Sequence, residues 1–155
     1  MIFMSAVKEL RTKSKDYHAS IQANVSPKEA FEKISLVNKW WAKKFKGKAQ
    51  KLNDQFTVDF GETFVDFRIT EAIPESKIVW TVTDCNLHWI KAKKEWKNTK
   101  VVWEISTAKN GVQINMTHIG LRPEVECWDS CKPGWDEHVK GSLLSFITKG
   151  KGMPA

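Results

Sequence analysis

The chain has 155 residues, 41% of them hydrophobic and 28% charged, which is enough for one hydrophobic core, hardly enough for two, and excludes extensive intrinsic disorder. Its 25 Lys+Arg against 18 Asp+Glu give a formal charge of +7, a field that draws anionic ligands, acidic proteins or polyanions without choosing among them. Eight Trp stand against one Tyr, large and mostly apolar rings that either fill a core or line a pocket for something flat and apolar.

The opening MIFMSAVKELRTKSKD turns charged after a brief apolar start, and no run approaches membrane-spanning length. The expectation is a cytoplasmic protein with no secretory signal. An odd count of three Cys in a reducing compartment argues against a disulfide framework. One domain is expected over residues 1–155, ordered from about 15 to 150 with loose tails at both ends.

In YHASIQANV, Tyr17, Ala19, Ile21, Ala23 and Val25 alternate with polar residues, the period of a strand with one buried face. SPKEAFEKIS follows, with Ser26 as cap, Pro27 at the first helical position and Glu29 three residues after the cap, the signature of a helix start. Its apolar stripe Ala30, Phe31 and Ile34 continues through Val37, Trp40, Trp41 and Phe45, so a second short helix is expected after a break near Ser35 or Leu36. Three strands come next, marked by Phe56, Val58 and Phe60, then Val65, Phe67 and Ile69, then Ile78, Trp80 and Val82. Beyond the irregular NLHWIKAKKEWKN, two strands carry Val101, Trp103 and Ile105, and then Val112, Ile114, Met116 and His118. Asn110-Gly111 joins them as a tight hairpin turn, and the alternation points His118 to the apolar side. GWDEHVKGSLLSFITKGKG spaces Trp135, Val139, Leu143, Phe146 and Ile147 as an amphipathic helix ending at Gly150.

This order makes an α+β layout: a curved antiparallel sheet of about six to seven strands, two short helices and a long C-terminal helix across the sheet. The stretches SPKEAFEKISLVNKWW, FRITEAIPESKIVWTV, GVQINMTHIGL and GWDEHVKGSLLSFITKGKG resemble the START-like (SRPBCC, birch-pollen-allergen-like) superfamily, in the branch named for the activator of the heat-shock-protein-90 ATPase. The resemblance spans roughly residues 15 to 152 and implies the helix-grip fold. It also implies a cavity between sheet and terminal helix, used across the superfamily for apolar molecules.

The ligand-contact residues expected from this are Trp40, Trp41, Phe60, Phe67, Trp80, Trp89, Trp103 and Trp135, with Met116, Val139 and Leu143 beside them and His118 as a polar anchor. The segment HIGLRPEVECWDSCKPGWDEH could supply soft metal ligands from Cys127, Cys131, His118 and His138, but their spacing is looser than zinc sites use. Packing of the link into the last helix is the expected role, ahead of a regulatory thiol pair, with no metal and no cofactor. No nucleophile elbow, HExxH helix, phosphate loop or dinucleotide fingerprint is present, so no catalytic residue is assigned. Asp66, Arg68, Glu71 and Glu104 fall on the outward parity of their strands. Lysines interleave with aromatics in KWWAKKFKGKAQK, yet the rings follow helical spacing, which leaves the lysines as a solvated face and nucleic acid outside the expected partners. The expected partner is a small apolar or aromatic ligand, with or without an anionic group, and no membrane. An acidic protein partner, as for a chaperone-activator-like module, is the alternative reading, and a cyclase- or hydrolase-type enzyme ranks third.

Overall fold

The computed structural model describes residues 14–155, so the N-terminal tail expected to be loose lies almost wholly outside the described residues. Seven strands form one antiparallel sheet: β1 (Tyr17–Ala23), β2 (Lys44–Gly47), β3 (Gln55–Asp59), β4 (Phe64–Ile73), β5 (Lys77–Asn86), β6 (Lys100–Ala108) and β7 (Gly111–Ile119). Their spatial order is β1-β7-β6-β5-β4-β3-β2. Helices α1 (Pro27–Ser35) and α2 (Val37–Trp40) cross from β1 to the far edge. The terminal helix runs as α3 (Trp128–Asp136), a π-helical stretch (Glu137–Leu143) and α4 (Leu144–Lys149). This is the helix-grip fold.

Alternation places the core side of each strand as expected. Tyr17, Ala19, Ile21 and Ala23 of β1 are buried, and so are Val112, Ile114, Met116 and His118 of β7. Ser26 caps α1 by accepting the Glu29 N–H at 3.1 Å, and Leu36 breaks the helix from α2. Register shifts interrupt the β4–β5 ladder near Phe67 and before Glu71. Glu71 nonetheless stays outward, 3.2 Å from the Lys77 ammonium.

Four expectations are corrected. Phe45 does not extend the α2 stripe but sits in β2, a short Lys-rich edge strand paired with β3; it is too brief for alternation to register against a helical reading. The β6–β7 turn is Lys109-Asn110, one residue earlier than expected, since Ala108 already pairs with Gly111. The terminal helix begins at Trp128, six residues before Gly134, despite Pro133. Its entry is fixed by the Glu95 carboxylate, which accepts the N–H groups of Glu126 and Cys127 at 2.9 and 2.8 Å and so satisfies donors a helix start leaves open. Finally, the C-terminal segment is docked rather than loose. Met153 N–H donates to Ser142 Oγ at 2.7 Å, Ala155 N–H to the Trp41 carbonyl at 2.8 Å, and Lys43 N–H to the Ala155 carbonyl at 2.9 Å. Gly152 permits this close passage, because a Cβ there would run into the Lys39 carbonyl.

The middle of the sheet–helix interface is solid. Trp40, Trp80 and Trp103 are fully buried, with ring centroids 5.3 to 6.4 Å apart, the separation at which aromatic pairs add about 0.5–1.5 kcal/mol beyond burial. At one end Tyr17 ties β1 to α3, its hydroxyl donating to Asp136 Oδ1 at 2.6 Å. Burial first, then the Asp136 carboxylate, pushes the phenol pKa far above its ordinary 10. Above that ordinary value the unfolded chain loses a proton that the folded chain keeps, so this contact's stabilisation is lost as pH rises. Tyr17 is the sole tyrosine, which makes ultraviolet absorbance titration a single-site readout. Tyrosinate absorbance should stay absent through the ordinary range and rise only together with loss of circular dichroism. A midpoint near 10 in a chain still folded would contradict the buried Tyr17–Asp136 contact.

Candidate functional site: an aromatic pocket under the terminal helix

The ladder between β5 and β6 is short. It pairs Lys77–Thr81 with Lys100–Glu104, and beyond it β5 runs on to Asn86 while the chain loops out through residues 87–99 before β6 begins. This loop folds against the start of the terminal helix and is clasped there from both sides. The Glu126 carboxylate accepts the N–H groups of Lys91 and Ala92 at 2.9 and 3.0 Å, while Glu95 of the loop caps Glu126 and Cys127 in return. The two backbone N–H bonds hold the Glu126 carboxyl below its usual range.

Between this loop, the ends of β3 and β4, and the terminal helix lies a pocket of about 340 Å³, at the lower end of the range of small-molecule sites, about 300–1,000 Å³. Trp41, Phe60, Trp89, Trp96 and Trp135 form most of its wall, with Val65 and Leu87; Thr63, Ser130 and His138 supply polar atoms, and Cys131, Gly134 and Ala155 complete it. Trp89 and Phe60 stand at the rim, 50% and 37% exposed, whereas Trp41, Trp96 and Trp135 are buried. Trp135 stacks parallel to Trp96 at 5.9 Å and lies 4.8 Å from Trp41. Trp89 Nε1–H donates to Ser130 Oγ at 2.9 Å, joining loop to helix across the rim.

The inner rings are held by His118. Trp135 Nε1–H donates to His118 Nδ1 at 3.0 Å, so Nε2 carries the proton and donates to Thr99 Oγ1 at 2.9 Å, and Thr99 donates onward to the Trp96 carbonyl at 2.6 Å. Burial lowers the His118 pKa to about 3, against a small opposing pull from Asp16, which keeps the ring neutral. Both nitrogens are occupied. His118 is therefore a positioning residue behind the wall and not the polar anchor expected inside the cavity.

Of the expected contact residues, Trp41, Phe60, Trp89 and Trp135 line the pocket. Trp40, Phe67, Trp80, Trp103, Met116, His118, Val139 and Leu143 are all buried and absent from its lining, because the tryptophans close the middle of the interface. Sequence reasoning missed Trp96, which sits in a loop with no period to read, and His138, weighed only as a metal ligand. His138 lies in the π-helical stretch, a geometry that recurs at functional sites. Burial, opposed by Glu137, lowers its pKa, so it is a neutral acceptor or donor facing the pocket. Among the described residues, no Asp or Glu side chain lines the pocket with it.

Cys127 and Cys131 form a disulfide, with Cα atoms 5.5 Å apart, where the odd cysteine count argued against a disulfide framework. One helical turn separates them and brings both side chains to the same face. Cys127 Sγ accepts the Trp96 Nε1–H at 3.3 Å. The two sulfurs are bonded to each other, Cys131 in the pocket lining and Cys127 against Trp96, and His118, saturated by Trp135 and Thr99, is not free to join them as a metal ligand.

No protein-family model and no curated protein matches the chain. Solved structures do. The Aha1 dimer from Colwellia psychrerythraea superposes with a TM-score of 0.72 at 19% identity, over 88% of this chain and 98% of that one. Protein MLL2253 from Mesorhizobium loti gives 0.67 at 16% identity, over 88% and 98%. DynU16, from the dynemicin biosynthetic locus, gives 0.65 at 14% identity over 90% of this chain, which spans about half (49%) of DynU16. At these identities the likeness is one of fold. Among the described residues, no helix is long and apolar enough to cross a membrane.

Proposed function

We propose that this chain, built on the START-like helix-grip fold, binds a small, largely apolar ligand between the terminal helix, Trp41 and the 87–99 loop. The observation that carries the reading is an open pocket of about 340 Å³ walled by tryptophans, next to an interior packed shut by other tryptophans. Exposed apolar surface of this kind is costly in water, and its polar atoms are few and convergent, as ligand sites require. N-phenyl-1-naphthylamine, an uncharged fluorescent aromatic, should bind saturably at one site with micromolar affinity and be displaced by other small apolar molecules. A linear, non-saturable response would overturn the reading.

A second reading, a protein-interaction module for an acidic partner, is favoured by the likeness to an Aha1 structure and by the lysines of the β2 edge, Lys44 and Lys46. Capture of heat-shock protein 90 that persists at moderate salt, with no response to naphthylamine, would favour it over ligand binding.

A further inference from the structure

The two sulfurs of the Cys127–Cys131 bridge have different surroundings. Cys131 is 8% exposed and lines the tryptophan pocket beside Ser130 and Gly134, whereas Cys127 is fully buried and absent from the lining. A molecule that enters the pocket meets one sulfur and not the other. Behind the bridge, the Trp96 Nε1–H points at Cys127 Sγ from 3.3 Å, a donor whose bond would strengthen if that sulfur became a thiolate.

The start of α3 has anchors besides the bridge. The bridge spans a sequence separation of four, and so short a loop restrains the unfolded chain less than a long-range crosslink does. Glu95 holds the N–H groups of Glu126 and Cys127, and Tyr17 holds Asp136, so the bridge can open and close while the helix stays in place. The third cysteine, Cys85, is buried outside the pocket lining, its thiol donating to the Lys93 carbonyl at 3.5 Å.

We infer that the bridge is a thiol–disulfide exchange centre for small thiols with an aromatic body, a covalent chemistry beyond reversible binding. The body lies against Trp41 and Trp135, and its thiolate attacks Cys131 Sγ, the sulfur within reach. A bond forms between the incoming sulfur and Cys131, the Cys131–Cys127 bond breaks, and its electron pair leaves on Cys127 Sγ beside the Trp96 N–H. A second thiolate then attacks the incoming sulfur of this mixed disulfide and releases the symmetrical disulfide. Two thiols are oxidised, one bridge is reduced, and the two protons the thiols gave up end on Cys127 and Cys131. The same steps in reverse, with an aromatic disulfide as oxidant, close the bridge.

The test opens the bridge of the full, oxidised chain with 2-phenylethanethiol and with 2-mercaptoethanol, two alkyl thiols, and reads the rates by acid quench, alkylation and intact-mass spectrometry. On the native chain the aromatic thiol should be faster by about tenfold. That advantage should vanish in urea and in Gly134→Leu, whose side chain extends across the pocket. Which sulfur reacts is read on Cys127→Ser and Cys131→Ser with 2-phenylethyl methanethiosulfonate. Cys131 in the first variant should be labelled about tenfold faster than Cys127 in the second, and in urea the two should be labelled alike. Should either variant fail to fold, the wild-type rates still decide. Equal rates for the two thiols, an advantage that survives urea or Gly134→Leu, faster labelling of Cys127, or three free thiols after oxidation with diamide would each overturn the exchange reaction. Saturable naphthylamine binding alongside any of these leaves the pocket reading standing, and selective exchange without saturable naphthylamine binding does the reverse.

Discussion

Gly134→Leu is expected to lower naphthylamine affinity at least tenfold while making the protein slightly more stable. Gly134 lines the pocket from α3, and a Cβ built there meets open space, so a leucine side chain can extend across the pocket without displacing a neighbour. A glycine inside a helix costs about 0.5–1 kcal/mol relative to alanine through the freedom it loses on folding. Replacing it recovers much of that, and the added carbons cover apolar wall. Gain of stability with loss of binding separates a blocked site from a damaged fold. Gly134→Ala serves as the control, sharing the stability gain with only a small effect on binding. Denaturant titration and dye titration read the two quantities. Undiminished binding in the leucine variant would place the ligand elsewhere.

His118→Phe should cost about 1–3 kcal/mol, because the ring volume is kept but the Trp135 N–H is left buried without an acceptor. The same variant should change the pH profile. With a folded pKa near 3 against an ordinary 6.5, the unfolded chain takes up a proton that the folded chain refuses. The wild type therefore loses stability as pH falls below the ordinary value, by about 1.4 kcal/mol per pH unit for such a group. Between about pH 6.5 and 5 most carboxylates have yet to titrate. Within that window the slope belongs to His118, with a further share from His138, whose pKa is also lowered. The phenylalanine variant should be flatter there, and its naphthylamine affinity should fall as Trp135 and Trp96 lose their tether. An unchanged slope would mean that His118 is not buried and neutral.

How much of this the chain's text discloses depends on what each signal physically encodes. Alternation in YHASIQANV and GVQINMTHI reports which side chains face inward, and Tyr17, Ile21, Ile114 and His118 are indeed buried. Six of the seven strands follow from such patterns, as does the capped start of α1, whereas β2 with Phe45 does not. Alternation is silent on how completely the inward side chains fill the space. It could not separate Trp80 and Trp103, packed against Trp40, from Trp135, whose ring is left facing an opening. That difference arises where β5 and β6 part, a matter of pairing length and not of residue type. Trp96 and the Glu95–Glu126 clasp lie in segments with no period at all. The early start of α3 was hidden by Pro133 and Gly134, which read locally as breakers although Glu95 supplies the cap from 31 residues away.

Eight indole N–H groups offer the most direct measurement. In a nitrogen-15-labelled sample titrated with N-phenyl-1-naphthylamine, the indole resonances of Trp41, Trp89, Trp96 and Trp135 should shift together and saturate, while those of Trp40, Trp80 and Trp103 hold still. Shifts centred on the latter three, or confined to Trp128, would contradict a ligand pocket beneath the terminal helix.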